Sequence, residues 1–371
     1  MSAAAPRTAT QHHEVVVIGG GQAGLAIGHL LAEKGRRFTI LEAAGEPAAA
    51  WRTRWDSLTL FTPVRNDSLP GLAFPGDPDS YPGRDDVVAY LTNYARHFEL
   101  PVEYDSRVQS VRASGGGFEV ETADRTYEAD QVVVATGPFQ VPVVPSFSEH
   151  LDPGVVQLHS NAYRSPDDLP DGPVLVVGGG NTGFQIATEL AASREVHLAV
   201  GARQTPLPQR ILGRDLFRYL EATGLMGKTV SSRLGQRLKD RDTLIGSSPR
   251  TARKQGIRVR PRAIEAAGAA VSLADGTDVT VEGVVWATGF RLDHSFVELS
   301  VFDDRGAVEH ERGVTTVPGL CFLGLPWQHT RGSALLGWVK DDAQHIARAI
   351  EDHAPGGASS PAHPLPDPVM R

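Results

Sequence analysis

A single cysteine, Cys321, in 371 residues leaves no partner for an internal disulfide and no C-x-x-C pair, so chemistry that shuttles a disulfide is excluded. No apolar run approaches the ~18 to 20 residues of a membrane span. Residues 1–13 also lack the apolar centre of a secretory signal, so the expectation is a cytoplasmic protein with no membrane partner. Positive charge is in deficit too: the formal net charge is -8, which argues against a nucleic-acid partner. The deficit is uneven, because Arg203 to Arg262 holds fifteen Lys and Arg against four Asp and Glu. A basic lobe of that kind suits an anionic cofactor. With 41% hydrophobic and 22% charged residues, the chain has the length and composition for two domains with real cores.

Two stretches carry the same design. Val15-Val16-Val17-Ile18 runs into Gly19, Gly21 and Gly24, and Val174-Leu175-Val176-Val177 runs into Gly178, Gly180 and Gly183. Each reads as a buried parallel strand, a G-x-G-x-x-G turn and a helix N-terminus, the arrangement that receives a pyrophosphate. Gln22 and Ala23 open the first helix, which is expected to run to Lys34; Asn181 and Thr182 open the second. Phe38 to Leu41 follows as a strand ending in Glu42, placed to bond the ribose hydroxyls of an adenine nucleotide. Superposing the loops brings Glu42 onto Gly201, so the second unit lacks the carboxylate that repels a 2'-phosphate, while Arg203 lies two residues on. These residues predict FAD at the first loop and NADPH at the second, with Arg210 as a further phosphate candidate.

The remaining punctuation fixes the domains. Trp51-Arg52 precedes a segment dense in aromatics and arginine, suited to a conjugated ring and its pyrophosphate, although Trp55 equally suits a core plug. Residues 65–84 read as irregular, 85–98 as a helix, and 102–130 as a small antiparallel insertion. Two strands then end alike, in Ala135-Thr136-Gly137 and in Ala287-Thr288-Gly289. The predicted fold class is α/β, with two Rossmann-like dinucleotide-binding domains, the NADPH domain inserted into the FAD domain. The FAD domain is expected at 14–165 and 285–353, and the NADPH domain at 170–284 with a helical insertion at 205–254. A closing helix is expected from Ser333 to Asp352, and disordered tails at 1–13 and 354–371.

As a set, these motifs, with Arg54-Trp55-Asp56-Ser57-Leu58, Leu158-His159-Ser160, Tyr163-Arg164 and Gly319-Leu320 through Gly324, resemble the bacterial class B flavin-containing monooxygenases over most of the chain from Glu14 to Ala349. Of that family's fingerprint, Phe-x-Gly-x-x-x-His-x-x-x-Phe/Tyr, His159 and Tyr163 match the second half, whereas Pro153 and Val155 stand where the first half has Phe and Gly. The resemblance implies a flavin reduced by NADPH and attacked by O2 to give a C4a-hydroperoxide, which passes one oxygen atom to a small organic substrate. It implies Asn66 and Gln328 as catalytic residues beside the flavin, a packed hinge role for His159, and a homodimer as one possible assembly. His329 receives no role. Two other readings stay open: an NADPH-dependent flavoprotein reductase that makes no oxygenating species, and a flavin-bearing NADPH-sensing regulator.

Overall fold

Residues 11–201, 203–239 and 243–353 are described by a computed structural model. The β-branched run at the start forms the strand Gln11–Ile18, the centre of a parallel sheet in the spatial order Leu320–Phe322, Thr126–Val134, Gln11–Ile18, Phe38–Leu41, Val102–Glu103. Register is set by Val15 beside Phe38 on one side and beside Gln131 on the other. Because successive side chains alternate, Val15 and Val17 enter the core beneath the helices Gln22–Glu33, Arg84–His97 and Val339–His353, while Val16 and Ile18 enter the opposite core. That second core is covered by the antiparallel hairpin Val108–Ser114 and Gly117–Thr122, which pairs with the first half of Thr126–Val134.

The second unit repeats the plan. Its parallel strands lie in the order Arg258–Arg260, Val196–Ala199, Val174–Val177, Gly283–Trp286, Val156–His159. Val174 and Val176 face the helix Asn181–Leu190, and Leu175 and Val177 face a three-stranded antiparallel layer, Ala263–Ala267, Ala270–Leu273 and Asp278–Thr280.

Four sequence expectations shift. The second sheet takes in both Val156–His159 and the whole of Gly283–Trp286, so it starts before 165 and extends past 284; strand pairing, which has no local sequence signal, decides this. The 205–254 insertion is mixed: helices Leu216–Ala222, Arg233–Lys239 and Pro249–Lys254 accompany a parallel strand pair, Thr205–Leu207 with Thr243–Ile245. The closing helix begins at Val339 and residues 333–338 turn instead, bringing Gly337 so near the Asn66 carbonyl that a Cβ there would stand 1.7 Å from the oxygen. The first strand already starts at Gln11, where His12 meets Asp130 at 3.1 Å, so 11–13 are not tail; residues 1–10 and 354–371 lie outside the described residues. No helix among the described residues is long and apolar enough to cross a membrane.

Candidate functional site

The first glycine loop, and Asn181 and Thr182 just after the second, line a shared cavity of about 920 Å³, which Gly178, Gly180 and Gly183 do not line. In each loop the outer glycines are structural. Gly19 (φ +110°) and Gly178 (φ +141°) sit where a Cβ would come within 2.6 Å of the Ala135 carbonyl and 2.1 Å of the Ala287 carbonyl, respectively. Gly24 and Gly183 press on the carbonyls of Gly19 and Gly178, closing helix onto strand. The middle glycines differ: a Cβ on Gly21 or Gly180 would meet nothing within 4 Å. That open space at a helix N-terminus, rich in unbonded N–H groups, fits a pyrophosphate in both units.

On the first unit's side the cavity is lined by Gly19, Gly21, Gln22, Ala23, Glu42, Trp51, Thr136, Gly137 and Gly324. The Glu42 carboxylate accepts from the N–H of Gly20 (2.7 Å) and of Ala44 (2.9 Å), which fixes it at the strand's end. Trp51 Nε1 donates to Gln22 Oε1 (2.9 Å), and Gln22 Nε2 to the Ala334 carbonyl (3.2 Å), so the first helix, the tryptophan turn and the segment before the last helix are laced together. Thr136 and Gly137 are held by Gln140, whose Nε2 donates to both. From the second unit come Ser160, Asn161, Asn181, Thr182, Gln185 and Phe290. Asn181 Oδ1 accepts from Ile245 N at 2.9 Å, tying the insertion to the second loop.

Several expected residues stand elsewhere. Arg52 points away from the cavity, its Nε on the Pro47 carbonyl and beside Glu46; the short helix Ala49–Arg52 turns Trp51 inward and Arg52 outward. Arg54, two residues on, lines the cavity instead, and sequence reasoning missed it. Asn66 and Gln328, expected as catalytic, do not line the cavity either. Asn66 Nδ2 donates to Glu221 Oε1 at 2.6 Å, and Gln328, 2% exposed, accepts from Leu325 N and donates to the Arg312 carbonyl. Arg210 is turned onto Asp79 O and the Tyr81 ring and does not line the cavity. His329 lies outside the cavity, its N–H on Ser333 Oγ.

Ala287 packs against the second loop, Thr288 and Gly289 bond to Val143 and His159, and none of the three lines the cavity. Ala287 N donates to Val177 O (2.8 Å), Thr288 Oγ1 to Val143 O, and Gly289 O accepts from both Val143 N and His159 Nε2. With Asn161 N donating to its Nδ1 at 3.1 Å, the His159 ring is satisfied on both sides. Burial, together with the charge of Arg54, lowers its pKa, so it stays a neutral hinge residue. Tyr163 is wholly buried and donates to Glu189 Oε2 at 2.8 Å; burial and that carboxylate raise its pKa, keeping it a phenol.

Arg203 is exposed at the edge of the second unit. A Cβ on Gly201 would stand 3.1 Å from Arg262 Nε, so Arg262 borders the position that Glu42 holds in the first unit. Nothing in the spacing marks Arg262; only the folded strand order brings it there.

A family model described as pyridine nucleotide-disulphide oxidoreductase matches residues 16–210. The uncharacterized oxidoreductase CzcO-like of Geobacillus kaustophilus is 43% identical over 343 residues, 92% of this chain and 99% of that one. The probable indole-3-pyruvate monooxygenase YUCCA1 of Arabidopsis thaliana is 32% identical over 247 residues, 64% of this chain and 58% of that protein. Among solved structures, the flavin-containing monooxygenase from Stenotrophomonas maltophilia superposes with a TM-score of 0.77 at 31% identity, covering 92% of this chain and 98% of that one.

Proposed function

Since the chain belongs to the pyridine nucleotide-disulphide oxidoreductase family, and within it to the flavin-containing monooxygenases that use FAD and NADPH, we propose that it inserts one atom of O2 into a small organic substrate held in the cavity. The observation that carries this reading is the single chamber reaching from Gly21 and Glu42 to Asn181 and Thr182, which lets one bound dinucleotide meet the other. The family name notwithstanding, a disulfide relay finds no support: Cys321 is the lone cysteine, and burial pushes its thiol up to about 12.

Bound FAD supplies the redox and oxygen-activating chemistry. The chain's own residues hold and screen. Gly20 and Ala44 N–H groups orient the Glu42 carboxylate for the adenosine ribose of FAD, and the N-terminal turns of Gln22–Glu33 and Asn181–Leu190 offer N–H groups to the two pyrophosphates. Arg203 and Arg262 supply the positive charge for a 2'-phosphate where Gly201 offers no competing acid. Leu58, Leu60, Phe61 and Phe290 line the chamber between the loops and would keep water from the reacting atoms.

The test is stopped flow: the protein is reduced with NADPH and mixed with oxygenated buffer. The expected result is a long-lived absorbing species distinct from oxidised and reduced flavin, and incorporation of label from 18O2 into product. Immediate reoxidation with stoichiometric hydrogen peroxide, with and without candidate substrates, would instead favour the reductase reading.

A further inference from the structure

We propose that Arg54 is an anion-binding residue of the cavity and that it holds a carboxylate of the molecule that receives oxygen. The inference rests on the cavity being the oxygen-transfer chamber.

The Arg54 residue is only 8% exposed, yet it lines the cavity. Its guanidinium lies over two aromatic rings, 4.6 Å from the centroid of Phe139 and 5.2 Å from that of Phe290, and these rings meet edge to face at 5.3 Å. Its side-chain hydrogen bond goes to a neutral group, Asn161 Oδ1, at 3.4 Å. The one charge that perturbs it is another cation, Arg164, and among the described residues no carboxylate pairs with it. Burial, reinforced by Arg164, lowers Arg54 to about 10, so it remains charged at neutral pH.

Three other arginines held partly out of water answer acids, whereas Arg164 is spent on the backbone carbonyls of Thr53, Asn161 and Tyr163, and Arg331 has its pKa lowered by burial alone. Arg84 pairs with Asp56 and Asp85, Arg194 with Asp171, and Arg312 with Asp342. Withdrawing a charge from water is costly, and aromatic faces offset only part of that cost. Arg54 has no anionic partner among the described residues, and it lines the cavity. Each dinucleotide has a helix N-terminus for its pyrophosphate, so the cofactors do not call for a further buried cation there. The remaining occupant is the oxygen acceptor. Leu58, Leu60 and Phe61 on the same cavity give its other end an apolar berth, which defines the class: a small carboxylate with an apolar or aromatic body.

The experiment titrates FAD-loaded protein, without oxygen or NADPH, with 3-phenylpropanoate and with its neutral isostere 3-phenylpropanamide, reading the flavin spectrum. Wild type is expected to bind the carboxylate at least tenfold more tightly than the amide. Arg54→Gln is expected to abolish that preference while leaving amide and NADP+ affinities within twofold, and Arg54→Lys to restore part of it. Flavin content and melting temperature report whether each variant is folded. Equal affinity of wild type for the two probes overturns the proposal whether or not the variants fold. So does a loss in Arg54→Gln that falls on NADP+ alone, which would give the arginine to a cofactor phosphate. Because the titration involves no turnover, its outcome is separate from success or failure of oxygenation.

Discussion

The carbonyl oxygen of Gly289 accepts a hydrogen bond from His159 Nε2 at 3.0 Å, joining the last residue of the strand Val156–His159 to the turn that leaves its neighbour Gly283–Trp286. His159 is therefore a clasp between the C-terminal ends of two neighbouring strands at one edge of the second sheet, and its chemistry is that of a neutral donor and acceptor.

Replacing the clasp should cost stability in a defined way. His159→Ala leaves Gly289 O and Asn161 N without their side-chain partners and should destabilise by about 1–3 kcal/mol, read by thermal denaturation. His159→Gln, which can donate and accept at once, should recover part of this. The lowered pKa gives the sign of the pH effect: the unfolded ring takes up protons below its ordinary 6.5 while the folded ring resists, so wild type loses stability as pH falls from that value through the folded pKa. The pH slope between 6.5 and 5 should be shallower in His159→Gln, and an unchanged slope would assign that loss to other buried histidines.

The glycine loops separate folding from binding. Gly180→Ala places its methyl group in open space, so it should fold, retain FAD and raise the Kd for NADPH at least tenfold. Gly178→Ala drives its methyl group into the Ala287 carbonyl at a left-handed φ and should compromise the second unit itself. Flavin content, melting temperature and NADPH titration on the two purified variants test the contrast. Similar behaviour of both would refute the division of labour.

For nucleotide choice, Arg203→Ala and Arg262→Ala should each weaken NADPH about tenfold, near 1.4 kcal/mol, and leave NADH little changed. Gly201→Asp should move the preference toward NADH, since its carboxylate would confront Arg262 and any 2'-phosphate. Steady-state KM values for the two coenzymes decide this.

Asp67, which does not line the chamber, supplies a pH-dependent stability test. It is fully buried, Thr62 Oγ1 donates to its Oδ1 at 2.6 Å, and its Oδ2 has no protein partner. Burial raises its carboxyl to about 7, against the Thr62 hydrogen bond and with help from Asp215. A folded pKa above the unfolded one means that the folded state loses stability as pH rises from the ordinary carboxylate range toward 7. Asp67→Asn removes that loss and should exceed wild type by on the order of 2 kcal/mol at pH 8 and by little at pH 4. Parallel melting curves across this range would contradict the account.

What the chain announces about its fold comes from the parallel strands. A strand buried on both faces must be an unbroken apolar run, so Val15 to Ile18 and Val174 to Val177 are legible, and the glycines after them give the loops. Side-chain direction is much less legible. Arg52 and Arg54 are indistinguishable by type and neighbourhood; the difference between them is set by one helical turn entered through Ala48 at φ +56°. Asn66 and Gln328 illustrate the same limit. Likeness to a motif locates a residue along the chain, but Glu221, 155 residues away, claims the Asn66 amide, and Leu325 and Arg312 claim that of Gln328. Such partners come from strand order and insertion packing, neither of which has a local signal.

The insertion after the second nucleotide loop leaves a mark on the first unit. Phe217, in the helix Leu216–Ala222, stacks on Phe61 at 6.2 Å and leans on Trp338 at 5.3 Å, and Phe61 is a wall of the cavity. The shape of the chamber is therefore co-authored by a segment that touches neither glycine loop through its aromatic residues. Drift in the helix Leu216–Ala222 can retune which molecules are accepted without acting on Ile245, whose N–H holds Asn181 at the second loop, a separable dial for divergence between relatives that share the same cofactors.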